Sequence, residues 1–124
     1  MKKIITTDGA PKAIGPYSQA IEVDGCIYTS GQLPIDPKTG QMPETVEAQT
    51  RQSLENVKAI LKQRGLNLGT VFKTTVFLSD MNNFSKMNAV YAEYFSGSFP
   101  ARSCVEVARL PKDAKVEIEV IAAE

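Results

Sequence analysis

Hydrophobic residues recur along this chain with two different periods, and each period predicts one kind of element. The segment TVEAQTRQSLENVKAILKQRG, which begins at Thr45, has apolar residues three, four and eight positions apart. That spacing predicts an amphipathic helix, with Thr45 capping its start and Gly65 its end. The segment NFSKMNAVYAEYF, from Asn83, predicts a second helix whose start is capped by Asn82 or Asn83. Its apolar side consists of Phe84, Met87, Tyr91 and Tyr94.

Segments that are rich in β-branched and aromatic residues, or that alternate in polarity, predict six strands. Three of them precede the first helix: IITT, SQAIEV and CIYTSGQ, which begin at Ile4, Ser18 and Cys26. The Asp24-Gly25 pair between the second and third segments is a strong signal for a hairpin turn. The segment TVFKTTVFL lies between the two helices, and CVEVARL and KVEIEVIA end the chain.

The predicted order, β-β-β-α-β-α-β-β, describes one α+β domain that spans residues 1–124. Two helices can cover only one face of such a sheet. In the last strand, Glu117 and Glu119 share one side with Ile121, and the second face of the sheet also carries Tyr28. A face of this mixed polarity is typical of a surface that another copy covers, so we expect an oligomer.

The composition narrows the range of functions. Fourteen basic residues balance fourteen acidic ones, which argues against nucleic acid as the main ligand. No segment has the length of a membrane helix or the pattern of a secretory signal, so we expect a cytoplasmic protein. The chain has no histidine, which removes histidine-based triads, histidine-bearing zinc sites and the usual general base near neutral pH. Its two cysteines, Cys26 and Cys104, allow a disulfide on paper but are expected to stay reduced.

Arg102 and Glu117 are notable because they are charged residues in or beside segments that predict strands. Arg102 follows Pro100 and Ala101 at a strand entrance, and its guanidinium offers a planar fork of donors that fits a carboxylate. It is either the binding group for a small acid or an ordinary surface arginine, alone or in an ion pair with a glutamate. Glu117, in the middle of a strand, either lies on a solvated face or orients a water molecule and accepts its proton.

Five further residues are candidates for a ligand site. Cys104 follows Arg102 by two positions, so both side chains are expected to point the same way. Without a histidine to activate it, its thiol is expected to be inert, while its backbone N–H remains a candidate donor. Asn88 lies on the apolar side of the second helix, where it either cross-links that helix or faces a ligand. The others lie in the loop segments GPYSQ and TSGQ, and they are Tyr17, Ser30 and Gly31.

Three segments together resemble one known family. IGPYSQ from Ile14, YTSGQLP from Tyr28 and, above all, PARSCVEVARLPKDAKVEIE from Pro100 resemble the RidA, or YjgF-type, family of reactive-intermediate imine deaminases. The resemblance extends through essentially the whole chain. It implies a chorismate-mutase-like α+β fold, with a mostly antiparallel sheet and two helices on one face. It also implies a compact homotrimer with ligand clefts between subunits.

The resemblance implies an activity as well. Members of this family hydrolyse 2-imino acids such as 2-iminopropanoate and 2-iminobutanoate, which arise from the enamine products of pyridoxal-phosphate dehydratases. The products are 2-oxo acids and ammonia, and no cofactor is needed. By this resemblance, Arg102 binds the substrate carboxylate, Glu117 positions the attacking water, and the backbone near Gly31 and Cys104 donates hydrogen bonds to ligand oxygens. The side chains expected to shape the cleft are Tyr17, Ser30 and Asn88.

Two other functions stay open at this point. The same residues would suit a non-catalytic module that binds 2-oxo acids and regulates another process. Some relatives are described as translation inhibitors or ribonucleases that act on RNA, although the balanced charge of this chain weighs against that role.

Overall fold

The computed structural model describes residues 1–124, and its elements follow one another in the predicted order. The strands and α-helices are β1 (Lys3–Ile5), β2 (Ala20–Val23), β3 (Cys26–Thr29), α1 (Val46–Lys62), β4 (Val71–Leu78), α2 (Phe84–Tyr94), β5 (Ala101–Glu106) and β6 (Val116–Ala123). Single 3₁₀ turns occupy Leu68–Thr70, Met81–Asn83 and Pro111–Asp113. Neither α-helix has the length and apolar character needed to cross a membrane.

The six strands form one sheet in the order β1-β2-β3-β6-β4-β5. All neighbouring pairs are antiparallel except β4 and β5, which run parallel. Parallel neighbours need a crossover connection, and α2 provides it between these two strands. The last strand of the chain therefore lies in the middle of the sheet, and β5 lies at one edge.

Both helices pack on the same face of the sheet, as predicted. Val76 in β4 and Ile118 in β6 are fully buried beneath them, together with Leu54 and Val57 of α1. We call this side the covered face. The opposite side, the open face, carries side chains that remain about half exposed, namely Tyr28 (45%), Phe72 (49%) and Val105 (43%). The mixed second face inferred from the sequence is thus confirmed.

Local sequence signals account for most element boundaries. Asp24 and Gly25 have φ values of 51° and 80°, as the tight turn between β2 and β3 requires. The Thr45 hydroxyl accepts the Ala48 N–H at 3.1 Å, which caps α1. Beyond that helix, Gly65 has a φ of 72°, and the Leu66 N–H donates to the Leu61 carbonyl as in a glycine-based helix end.

The predicted cap of α2 is confirmed in position but not in chemistry. Asn83 is the N-cap residue of α2, yet its side chain makes no capping hydrogen bond. A 3₁₀ turn precedes α2, and the Asp80 carboxylate accepts the Asn82 N–H at 2.9 Å at the start of that turn. The side-chain cap therefore lies one turn earlier than expected, because the first turn at this position is 3₁₀ rather than α-helical.

Candidate active site

Arg102 lies on the covered face, against α2. It is the second residue of β5 and is aligned with Thr74 of β4, whose side chain is fully buried. Its guanidinium carbon lies 4.7 Å from the ring centre of Tyr91 and 5.5 Å from that of Phe84. Its Nη1 donates to Asn88 Oδ1 at 2.7 Å. Because Phe84, Asn88 and Tyr91 follow at four- and three-residue spacing, one side of α2 presents all three to the arginine.

The Arg102 side chain faces a cavity of about 420 Å³. Its walls are formed by α2, β5 and the loop between them, through Asn88, Tyr91, Ala92, Phe99, Pro100 and Arg102. No carboxylate of the chain pairs with this arginine. The four ion pairs of the structure involve other cations, namely Arg51, Lys58, Arg64 and Arg109. The surface ion pair considered from the sequence is therefore absent. A fixed cation with unused donors beside a cavity fits a small carboxylic acid.

Glu117 lies on the open face. It is the second residue of β6 rather than a mid-strand residue, is half-buried and is aligned with Phe77 of β4. Burial, and secondarily the neighbouring charge of Glu119, raise the pKa of Glu117. The carboxyl group lies so close to Gly31 that a Cβ atom added there would overlap it. Only a glycine leaves room for such a close approach, which fixes Glu117 beside the backbone that follows β3.

Ser30 and Tyr17 lie near this contact. Ser30 Oγ donates to the Ser18 carbonyl at 2.6 Å, and the Ser30 N–H donates to the Gln19 carbonyl at 2.9 Å. Tyr17 is half exposed and, with Gly31, lines a small cavity of about 70 Å³. Tyr17, Ser30, Gly31 and Glu117 therefore form one local group, which we call the Glu117 group.

Cys104 lies on the same face as Arg102, as the two-residue spacing predicted. It is aligned with the buried Val76 and packs at the margin of the core. Burial raises the pKa of the Cys104 thiol, and the charge of Arg102 opposes this shift only in part. This favours the protonated, inert thiol. Both cysteines are free, and Cys26 lies on the open face, aligned with Ala123.

The predicted site residues thus fall into two groups rather than one. Asn88, Arg102 and Cys104 form the Arg102 group on the covered face, and the Glu117 group belongs to the open face. The cause is the register of the strands: β4 aligns Thr74 with Arg102 but aligns Phe77 with Glu117, and these two β4 residues point to opposite faces. Within one chain the sheet separates the arginine from the glutamate.

Sequence reasoning missed the aromatic surroundings of Arg102. Phe84 and Tyr91 were recognised only as the apolar side of a helix, and Phe99 was not considered. The signal that identifies them is Asn88, an amide lying between two aromatic residues at helical spacing. A polar residue there indicates that this side of α2 faces a polar partner as well as the core.

Fold and site together define a small α+β protein with an arginine cavity suited to carboxylates. A family model described as Endoribonuclease L-PSP matches residues 7–124. The chain therefore belongs to this family, which includes the YjgF and RidA proteins, and the resemblance seen in the sequence is confirmed.

Similar proteins agree with this assignment over nearly their full length. A Salmonella typhimurium protein named 2-iminobutanoate/2-iminopropanoate deaminase is 58% identical over 125 residues, covering 98% of both chains. Among solved structures, the YjgF gene product of E. coli is 55% identical with a TM-score of 0.96, and E. coli TdcF with bound serine is 51% identical with a TM-score of 0.95. Each of these two comparisons covers 98% of both chains.

Proposed function

We propose that this protein hydrolyses reactive 2-imino acids, such as 2-iminopropanoate and 2-iminobutanoate, to 2-oxo acids and ammonia. The observation that carries the proposal is the Arg102 guanidinium, which faces a cavity without a carboxylate partner in the chain. The reaction is inferred from the names of relatives at 53–58% identity, which are deaminases. The serine bound in TdcF carries the same α-carboxylate that Arg102 would bind here.

In the proposed reaction, Arg102 binds the substrate carboxylate through donors that Asn88 leaves free. Glu117 holds a water molecule and accepts its proton as the oxygen bonds to the imine carbon. Glu117 passes this proton to the nitrogen and then takes up the proton of the new hydroxyl group as the C–N bond breaks, so that ammonia leaves and the carbon becomes the carbonyl of the 2-oxo acid. Since an iminium carbon is already electrophilic, the main task of the protein is positioning, and no metal or cofactor is required. The raised pKa makes Glu117 a stronger base than an exposed glutamate.

The reaction needs both groups around one substrate, and one chain holds them on opposite faces of its sheet. We therefore propose a homotrimer in which the Arg102 group of one copy meets the Glu117 group of the next. Support comes from the open face, where Tyr28, Phe72 and Val105 stay about half exposed in the single chain. The subunit is a single domain, 1–124, and the site of action is the cytoplasm.

Light scattering at micromolar concentration should give three times the chain mass, and a monomeric mass would contradict the shared cleft.

A coupled assay tests the activity directly. A serine or threonine dehydratase generates the imine, and the release of ammonia and 2-oxo acid is followed with and without this protein. Acceleration over spontaneous hydrolysis supports the enzyme. Tight binding of 2-oxo acids without acceleration would instead indicate the non-catalytic binding module, which uses the same Arg102 cavity. Steeply salt-dependent RNA binding would indicate the nucleic-acid role.

Gly31→Ala is expected to reduce kcat/KM by about 10- to 100-fold, because the new methyl group displaces the Glu117 carboxyl group from its place. The fold should persist, since the atoms displaced are the end of a flexible side chain. Gly9→Ala is the matched control, since its Cβ would press on Ala59 at 3.0 Å and would not contact Glu117. A Gly31→Ala protein as active per folded molecule as Gly9→Ala would show that the proposed position of Glu117 is wrong.

Cys104→Ala is expected to lower kcat/KM far less than Arg102→Ala does, because the thiol is held in its protonated form and only the backbone at this position is proposed to bind substrate. Kinetics with the coupled assay measure both variants, and Cys26→Ala controls for the loss of a thiol elsewhere. A trimeric Cys104→Ala protein without turnover would show that the sulfur is a nucleophile.

A further inference from the structure

The surroundings of Arg102 raise a question about its charge. A partly buried cation normally has a carboxylate partner, yet this one has only the neutral Asn88 amide, which occupies Nη1. The remaining stabilisation must come from groups that do not consume N–H donors. Two aromatic rings lie at the distances that attract a guanidinium, Tyr91 at 4.7 Å and Phe84 at 5.5 Å.

We propose that Tyr91, assisted by Phe84, is the positioning residue that holds Arg102 ready for the substrate carboxylate. An aromatic face attracts the guanidinium through the ring electrons, whereas the N–H donors of the guanidinium lie in its own plane. The rings therefore stabilise the cation and leave its remaining donors free for a ligand. A carboxylate in their place would satisfy those donors and compete with the substrate.

Tyr91 is itself held firmly, as a positioning residue must be. Its side chain is only 4% exposed, and its hydroxyl shares a hydrogen bond of 2.8 Å with Thr74 Oγ1, which is fully buried. On another side its ring packs against Phe95, with ring centres 4.6 Å apart. Since Thr74 is also the β4 residue aligned with Arg102, one hydrogen bond ties the ring to the strand beside the arginine.

The same helix offers a matched control. Tyr94 lies three positions after Tyr91 and also has cations near its ring, Arg51 at 6.0 Å and Lys58 at 5.8 Å. None of these residues contributes to the Arg102 cavity. Replacing Tyr94 thus removes an aromatic residue with two cation contacts from α2 without touching Arg102.

The inference rests on the proposed function, so its test uses ligand binding as well as turnover. We would measure the Kd of 2-oxobutanoate by calorimetry, kcat and KM in the coupled assay, and the Arg102 Nε–H resonance by NMR. Tyr91→Leu is expected to weaken binding by about three- to thirtyfold and to remove the ring-current shift of that resonance. The ring is preserved in the double variant Tyr91→Phe with Thr74→Val, which removes both ends of the buried hydrogen bond and should recover most of the affinity. Tyr94→Leu should bind like the wild type.

Each outcome decides the question. Tyr91→Leu protein with wild-type Kd and KM would overturn the inference, and so would a double variant that binds as poorly as Tyr91→Leu. If Tyr91→Leu fails to fold, Phe84→Leu is measured in its place. Its affinity for 2-oxobutanoate is expected to fall about two- to tenfold. An unchanged Kd of the Phe84→Leu protein would overturn the inference. If the wild type binds 2-oxobutanoate but hydrolyses no imine, the proposed function fails while the role of Tyr91 is still measured through Kd.

Discussion

Replacing Arg102 with lysine should reduce kcat/KM for the imino acid nearly as far as replacing it with alanine. Arginine can donate two parallel hydrogen bonds to a carboxylate, whereas lysine offers a point charge on a flexible stem. Such a charge-assisted contact is worth roughly 1.5–3 kcal/mol, or about 10- to 150-fold. Lysine also loses the contact between the guanidinium and the Tyr91 ring, so the substrate would be misplaced as well as weakly bound.

The measurement is kcat/KM in the coupled assay for Arg102→Lys, Arg102→Ala and the wild type, with circular dichroism and solution mass as controls for folding and assembly. Arg64→Lys is a matched control, because that arginine forms a surface ion pair with Glu22 away from the cavity and should tolerate lysine. A lysine variant at position 102 with most of the wild-type activity would mean that positive charge alone suffices.

Mixing two inactive variants should restore activity. Arg102→Ala chains keep an intact Glu117 group, and Glu117→Gln chains keep an intact Arg102 group. If each cleft takes one group from each of two neighbouring copies of a trimer, a trimer that contains both kinds of chain has about a third of its clefts complete. Each variant assayed alone should keep its strongly reduced activity, so the gain in activity of the mixture is expected to be large.

The mixture is best made by co-expression with two different tags, followed by purification over both. The purified mixed oligomer is assayed beside each pure variant at the same chain concentration. A site built within one chain predicts no gain at all, because no chain in the mixture carries both groups. Mixed oligomers that remain inactive would therefore rule out the shared cleft while leaving Arg102 and Glu117 open to separate tests.

The sequence predicted the elements well because their signals are local. Thr45 and Gly65 delimit α1, and Asp24-Gly25 specifies the hairpin through backbone conformations that those residues adopt readily. The parallel pairing of β4 with β5 and the central position of β6 carry no such signal. They depend on which distant segments meet, and that is settled by packing of the whole sheet rather than by neighbours in sequence.

In the candidate site, too, some features could be predicted from the sequence and others could not. The types of residue, a guanidinium for a carboxylate and a glutamate for water, could be proposed from chemistry alone. Their placement on opposite faces could not, because it follows from the alignment of Arg102 and Glu117 with two β4 residues of opposite orientation. The contact between Gly31 and Glu117 was equally hidden, since it joins the backbone after β3 to β6, two segments separated by most of the chain.

The neutral partner of Arg102 also has a consequence for product release. Asn88 leaves the guanidinium with a full, uncompensated charge, and the 2-oxo acid product carries the same carboxylate as the imino acid. In its proposed role, the arginine therefore holds product about as well as substrate, and this contact by itself does not favour the forward reaction. Selectivity for the imine would then arise at the imine end of the substrate, where Glu117 is proposed to hold water. We expect 2-oxo acids to inhibit competitively, so that the rate of clearance falls as the pool of product grows.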